Sequence, residues 1–151
     1  MKYEYAPDLK ERMVKIVETL GLDHVDVNRV ECIRSFGSST RRTLARCHTL
    51  GKLMQKAMRS PAHYAIEFLE IFEKLSKEEQ DKVIIHELMH IPKTFGGGFR
   101  QHDFVCEENV EIMYNKFVSS QNKNNVGKEV KDFNDFENNI ETEVKKKGFF
   151  W

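Results

Sequence analysis

The sequence predicts a small α+β domain, with a short mixed sheet packed on an N-terminal helix and on a second, more central helix. Three observations predict it. The chain has 151 residues, the size of one domain with one core. Its composition, 40% apolar and 32% charged with 8 Gly and 3 Pro, excludes collagen-like, low-complexity and wholly disordered classes. Segments with apolar residues three and four apart are interspersed with short runs that alternate apolar and polar, and these are the periods of helix and strand.

The first helix follows Pro7 and Asp8. Leu9, Met13, Ile16, Val17 and Leu20 share one face, and Gly21 supplies the C-terminal cap. Alternation in His24–Asn28 and in Val30–Ile33 predicts one or two strands before the turn residues Gly37, Ser38 and Ser39. Thr43–Thr49 is a further strand candidate, and Leu50–Met58 has helical spacing. After Pro61, Tyr64, Ile66 and Phe68 fall on one face and Glu67 on the other, which makes Ala62–Leu69 a strand. Ser76 with Glu79 three positions on forms a capping box, so a helix begins at Lys77. It runs through Val83, Ile84, Ile85, Leu88 and Met89 and stops near Ile91, because Pro92 disfavours helical geometry in the residue before it. A glycine loop, Pro92–Gly98, precedes a helix over Asp103–Val118. The polar run Ser119–Asn125 reads as a linker, which sets a domain at 1–120 and a linker with a C-terminal amphipathic tail at 121–151. In that tail Val130, Phe133, Phe136, Ile140 and Val144 repeat at helical spacing, and Phe149, Phe150 and Trp151 are expected to fold back, onto a substrate cleft or onto a remote patch.

No apolar run approaches the ~20 residues of a membrane helix, and charges occupy the N-terminal stretch where a signal peptide is apolar, so a cytoplasmic location is expected. Cys32, Cys47 and Cys106 are too few and too far apart for a disulfide framework or a zinc ribbon, and read as reduced core thiols. Net charge is zero, yet from Arg29 to Arg59 eight basic residues face Glu31 alone. Such a stripe is either solvated surface or a phosphate-binding face, so nucleic acid is a candidate partner.

Chemistry concentrates in His86-Glu87-Leu88-Met89-His90, an H-E-x-x-H pattern inside the capped helix. Residues four apart project from one helix face, so the two imidazoles can grip one zinc ion while Glu87 reaches a water beside it as general base. Two merely packed histidines are the competing reading, but buried imidazoles without partners are costly. A catalytic zinc takes three protein ligands. His102, with eleven residues between it and His90 across the glycine loop, is the third candidate, with Glu107, Glu108 and Glu111 as rivals. Asp103 could orient a histidine, and Cys106, one turn beyond His102, reads as a buried thiol.

The stretch from His86 through Gly96-Gly97-Gly98 to His102-Asp103 resembles the zinc-site region of the zincin metallopeptidases, nearest to those of archaea and phages, and is similar also to the SprT-like group. The resemblance implies a zincin-like fold, one Zn²⁺ held by His86, His90 and His102, and Glu87 as general base. It departs from the metzincin pattern, where a third histidine would stand at Gly96. No oxyanion-stabilising residue can be picked from Tyr64, His63 and Tyr114. The reading is a zinc-dependent peptidase acting on polypeptides laid along the strand Ala62–Leu69. A non-catalytic zinc module binding nucleic acid or a partner protein is the alternative, and a closed fourth coordination position would mark it.

Overall fold

The computed structural model describes residues 1–124, and the expected tail lies outside the described residues. Four strands, β1 (Lys2–Tyr5), β2 (Val30–Phe36), β3 (Ala45–Thr49) and β4 (Tyr64–Leu69), form one sheet in the order β1-β2-β4-β3. β2 and β4 are parallel, and the two outer strands pair antiparallel. The helices are α1 (Pro7–Leu20), α2 (Lys52–Met58), α3 (Lys77–Met89) and α4 (Glu107–Asn124). The architecture is therefore α+β with a small mixed sheet.

The core follows from the two periods. In register, Val30 and Cys32 of β2 lie beside Tyr64 and Ile66 of β4, all buried on one face. α1 packs against β2 and α4, and α3 packs against β3 and α4. Leu9, Met13, Ile16 and Leu20 meet Ile84, Ile85 and Leu88, with Met113 and Phe117 from α4 closing the cluster. Gly21 adopts φ +65°, the left-handed cap expected of it. Arg12 ties α1 to α3 through Asp81 at 2.6 Å and Gln80 at 2.8 Å. Arg34 ties β2 to Asp8 of α1 and to Glu73.

Several expectations are corrected. β4 is an interior strand between β2 and β3, so the strand expected to receive substrate has no free edge; β3 is the outer strand beside α3. His24–Asn28 is a turn leading into a short 3₁₀ segment, because the Asp26 carboxylate takes the Asn28 N–H at 3.0 Å and the Arg29 guanidinium at 2.9 Å. β1 is a strand with all four residues exposed, so no buried face announces it. The run read as a linker from Ser119 is helical through Asn124: polar composition suits a solvent-facing helix, and Ser120 is buried. α4 begins at Glu107 rather than Asp103, which leaves His102 on the preceding turn. α2 buries no residue, and Leu53, Met54 and Met58 are exposed. The three cysteines are free; Cys32 is in the core, Cys47 and Cys106 are half-buried.

Candidate metal centre

α3 is fixed at its start by the reciprocal cap, in which Ser76 Oγ accepts from the Glu79 N–H at 3.2 Å and Glu79 from the Ser76 N–H at 2.9 Å. That start sets the rotation of the helix, and with it the direction of His86 and of His90, the residue that caps its C-terminus. The ring centroids lie 5.1 Å apart, one helical turn as the motif requires. His102 comes back over the loop to stand 4.9 Å from His90 and 5.8 Å from His86. One ligand atom from each of the three lies within 4.8 Å of the others.

The donor set suits a metal ion. The Nε2 atoms of His86 and His90 are 3.3 Å apart, and two nitrogens each ~2.0–2.1 Å from one tetrahedral ion stand about 3.3 Å apart. His90 Nδ1 donates to the Arg100 carbonyl at 2.7 Å, since a carbonyl can only accept, and this leaves the Nε2 lone pair facing the other rings. Burial, reinforced by the neighbouring imidazoles of His90 and His102, pushes His86 down to about 4. Burial likewise lowers His90. Both rings are thus neutral near pH 7, the form that binds a metal.

Glu87 is buried and pushed up to about 7 by burial, against the opposing effect of the Cys47 N–H that it accepts. β3 thereby holds the carboxylate from the sheet side. Glu87, His86, His90 and His102 line one cavity of about 330 Å³ together with Cys47 and Phe99.

The glycine loop is clamped rather than loose. Tyr64 Oη donates to the Gly98 carbonyl at 2.8 Å and accepts from the Gly97 N–H at 3.0 Å, so its hydroxyl is committed to the loop. Gln55 of α2 donates to the carbonyls of Leu50 and Gly96. Gly97 has φ +102°, and a Cβ there would stand 2.4 Å from Gln55 Nε2 and 2.9 Å from the Leu50 carbonyl, so only glycine fits.

The rivals for the third position go elsewhere. Glu111 pairs with Lys82 at 2.8 Å, and neither Glu107 nor Glu108 joins the histidines among the described residues. Asp103 accepts from the Phe104 N–H, and the orienting group on His90 is the Arg100 carbonyl. No side-chain signal could have marked that carbonyl, because every residue carries one. His63 bonds to Pro61, and Tyr114 lies under Lys82. The basic stripe is dispersed: Arg29, Arg34 and Arg46 contact acids, whereas Arg41, Arg42, Lys52, Lys56 and Arg59 are exposed. No helix among the described residues is long and apolar enough to cross a membrane.

A family model described as "Putative phage metallopeptidase" matches residues 1–135. No curated protein and no solved structure matches the chain.

Proposed function

The chain belongs to the phage metallopeptidase family, and on that premise we propose that it is a zinc-dependent peptidase in which Glu87 is the general base and His86, His90 and His102 are the ligands. One observation carries the reading: three imidazoles converge with a buried carboxylate beside them, and no fourth His, Cys, Asp or Glu joins the group among the described residues. A structural zinc site would be closed by a fourth protein ligand; a three-histidine set leaves room for water. The likeness of the motif stretch to the zincin and SprT-like groups points the same way.

Bound zinc supplies Lewis acidity, acidifying a water molecule and polarising the carbonyl to be attacked. The protein's own part is to hold the reacting groups. The Arg100 carbonyl fixes the His90 tautomer and ring plane. The Cys47 N–H fixes the Glu87 carboxylate, whose raised affinity for a proton suits it to accept one at neutral pH and return it to the leaving amine. Substrate backbone would add to the outer edge of β3, the strand that also anchors Glu87. The test compares wild type with Glu87→Gln on an unstructured polypeptide, with zinc measured on both. Hydrolysis lost and zinc retained at one per chain is the expected result; equal hydrolysis by both proteins would sink the assignment of Glu87.

A further inference from the structure

A second cavity, of about 590 Å³, opens on the other side of His86 and Glu87, between α3, α4 and the start of β3. Leu44, Val83 and Val110 give it an apolar lining, enough to cover a long aliphatic stem. Its charges are mostly acidic and mostly committed. Lys82 is answered twice, by Glu78 at 3.0 Å and Glu111 at 2.8 Å. Glu79 serves the α3 cap. Glu107 differs: it is exposed on the first turn of α4, and no side chain among the described residues forms an ion pair with its carboxylate. Arg42 is the opposing cation, exposed on the irregular segment entering β3 rather than on a helix wall.

The direction of β3 says which part of a substrate meets this cavity. Ala45, where β3 starts, lines both cavities, and Cys47, two residues on, stands level with Glu87 and the histidines. A polypeptide paired antiparallel to β3 runs from the Thr49 end toward the Ala45 end. The bond beside Glu87 therefore lies upstream of the cavity, and the chain beyond it enters the space under Leu44. Resting on the peptidase reading, we infer that this cavity takes the side chain on the carboxyl side of the broken bond and selects lysine or arginine there. The stem lies on Leu44, Val83 and Val110, and the cationic tip meets Glu107.

Two readouts test this, one of which needs no hydrolysis. Zinc-loaded Glu87→Gln protein is titrated with fluorescent peptides identical except for Lys, norleucine or Glu at one position, alone and combined with Glu107→Gln. Lysine should bind about 10-fold tighter than glutamate, and Glu107→Gln should remove most of that difference. Zinc-loaded wild type is then given a randomised peptide mixture and the products sequenced. Lys and Arg should be enriched after the cut, and Glu107→Lys should move the preference toward Asp and Glu. Equal binding of the three peptides, a lysine preference untouched by Glu107→Gln, or basic enrichment before the cut overturns the assignment. A Glu107-dependent lysine preference in binding, with no hydrolysis by wild type, supports the pocket and overturns the peptidase reading alone.

Discussion

α1 and α3 are nearly equal in length, 14 and 13 residues, and both pack on the sheet, but they bury different things. Every buried residue of α1 is apolar. α3 buries Ile84, Ile85, Leu88 and Met89 together with two acids, Asp81 and Glu87. The two acids are treated differently. Asp81 is met by Arg12, which reaches across from α1, whereas Glu87 receives a backbone N–H and, among the described residues, no cation. α1 is thus a packing element that also steadies its neighbour, and α3 keeps one carboxylate in a setting that stability alone would not select.

The sharpest way to break this comparison is Glu87→Gln. Turnover should fall by about 10²–10⁴-fold, the usual range for losing a general base, while thermal denaturation should show stability equal to or above wild type, because a neutral isostere replaces a buried carboxylate. A parallel loss of stability would mean that Glu87 is a structural residue. The opposite signature belongs to α1: Met13→Ala should cost roughly 2–5 kcal/mol in denaturant unfolding and leave one zinc per folded chain. His102→Ala, at an exposed position, should leave the metal-free stability unchanged. It should weaken zinc binding by more than the roughly 10–100-fold typical of losing an outer partner, read by competition with a chelator.

The contact between the two helices comes next. Arg12→Met strands the buried Asp81 and should cost about 2 kcal/mol, between an exposed and a fully buried ion pair, with turnover per folded molecule preserved. The smallest effect is at the exposed clasp of Asp8 and Arg34. The Arg34 hydrogen bonds, outweighing partial burial, hold Asp8 down to about 2, against 3.8 for the free group. A depressed carboxylate contributes stability above its unfolded value, and that contribution drains away as pH falls from about 4 through 2. Urea midpoints at pH 5 and pH 3 should therefore differ less in Asp8→Asn than in wild type.

The same contrast explains what could be read from the sequence. α1 was legible from Leu9 to Gly21 because its pattern answers to a single demand, packing. α3 was legible for another reason: Ser76, Glu79 and Pro92 mark its ends whatever lies between. β1 was not, since four exposed residues carry no burial signal. His102 could be reached by counting residues over a loop, but the Arg100 carbonyl could not. The interior place of β4 depends on which distant strands flank it, a property of the sheet rather than of residues 64–69. Polar composition at Ser119–Asn124 does not by itself distinguish the last turns of a helix from a linker.

Gly97 and the Gln55 amide beneath it carry a consequence for the order of events as the chain folds. His86 and His90 are four residues apart, so their pairing exists as soon as α3 winds up, on the sub-microsecond to microsecond scale of helix formation. His102 is in place only after the loop has seated on α2, and the Gln55 to Gly96 contact closes 41 residues of chain. Closures of that span come later than local ones. A partly folded molecule therefore offers two nitrogens and a weak grip, and the third nitrogen arrives with the native loop. On the three-histidine reading, capture of an ion would be a late event, and its kinetics would report the seating of the glycine turn that follows the helix carrying the motif.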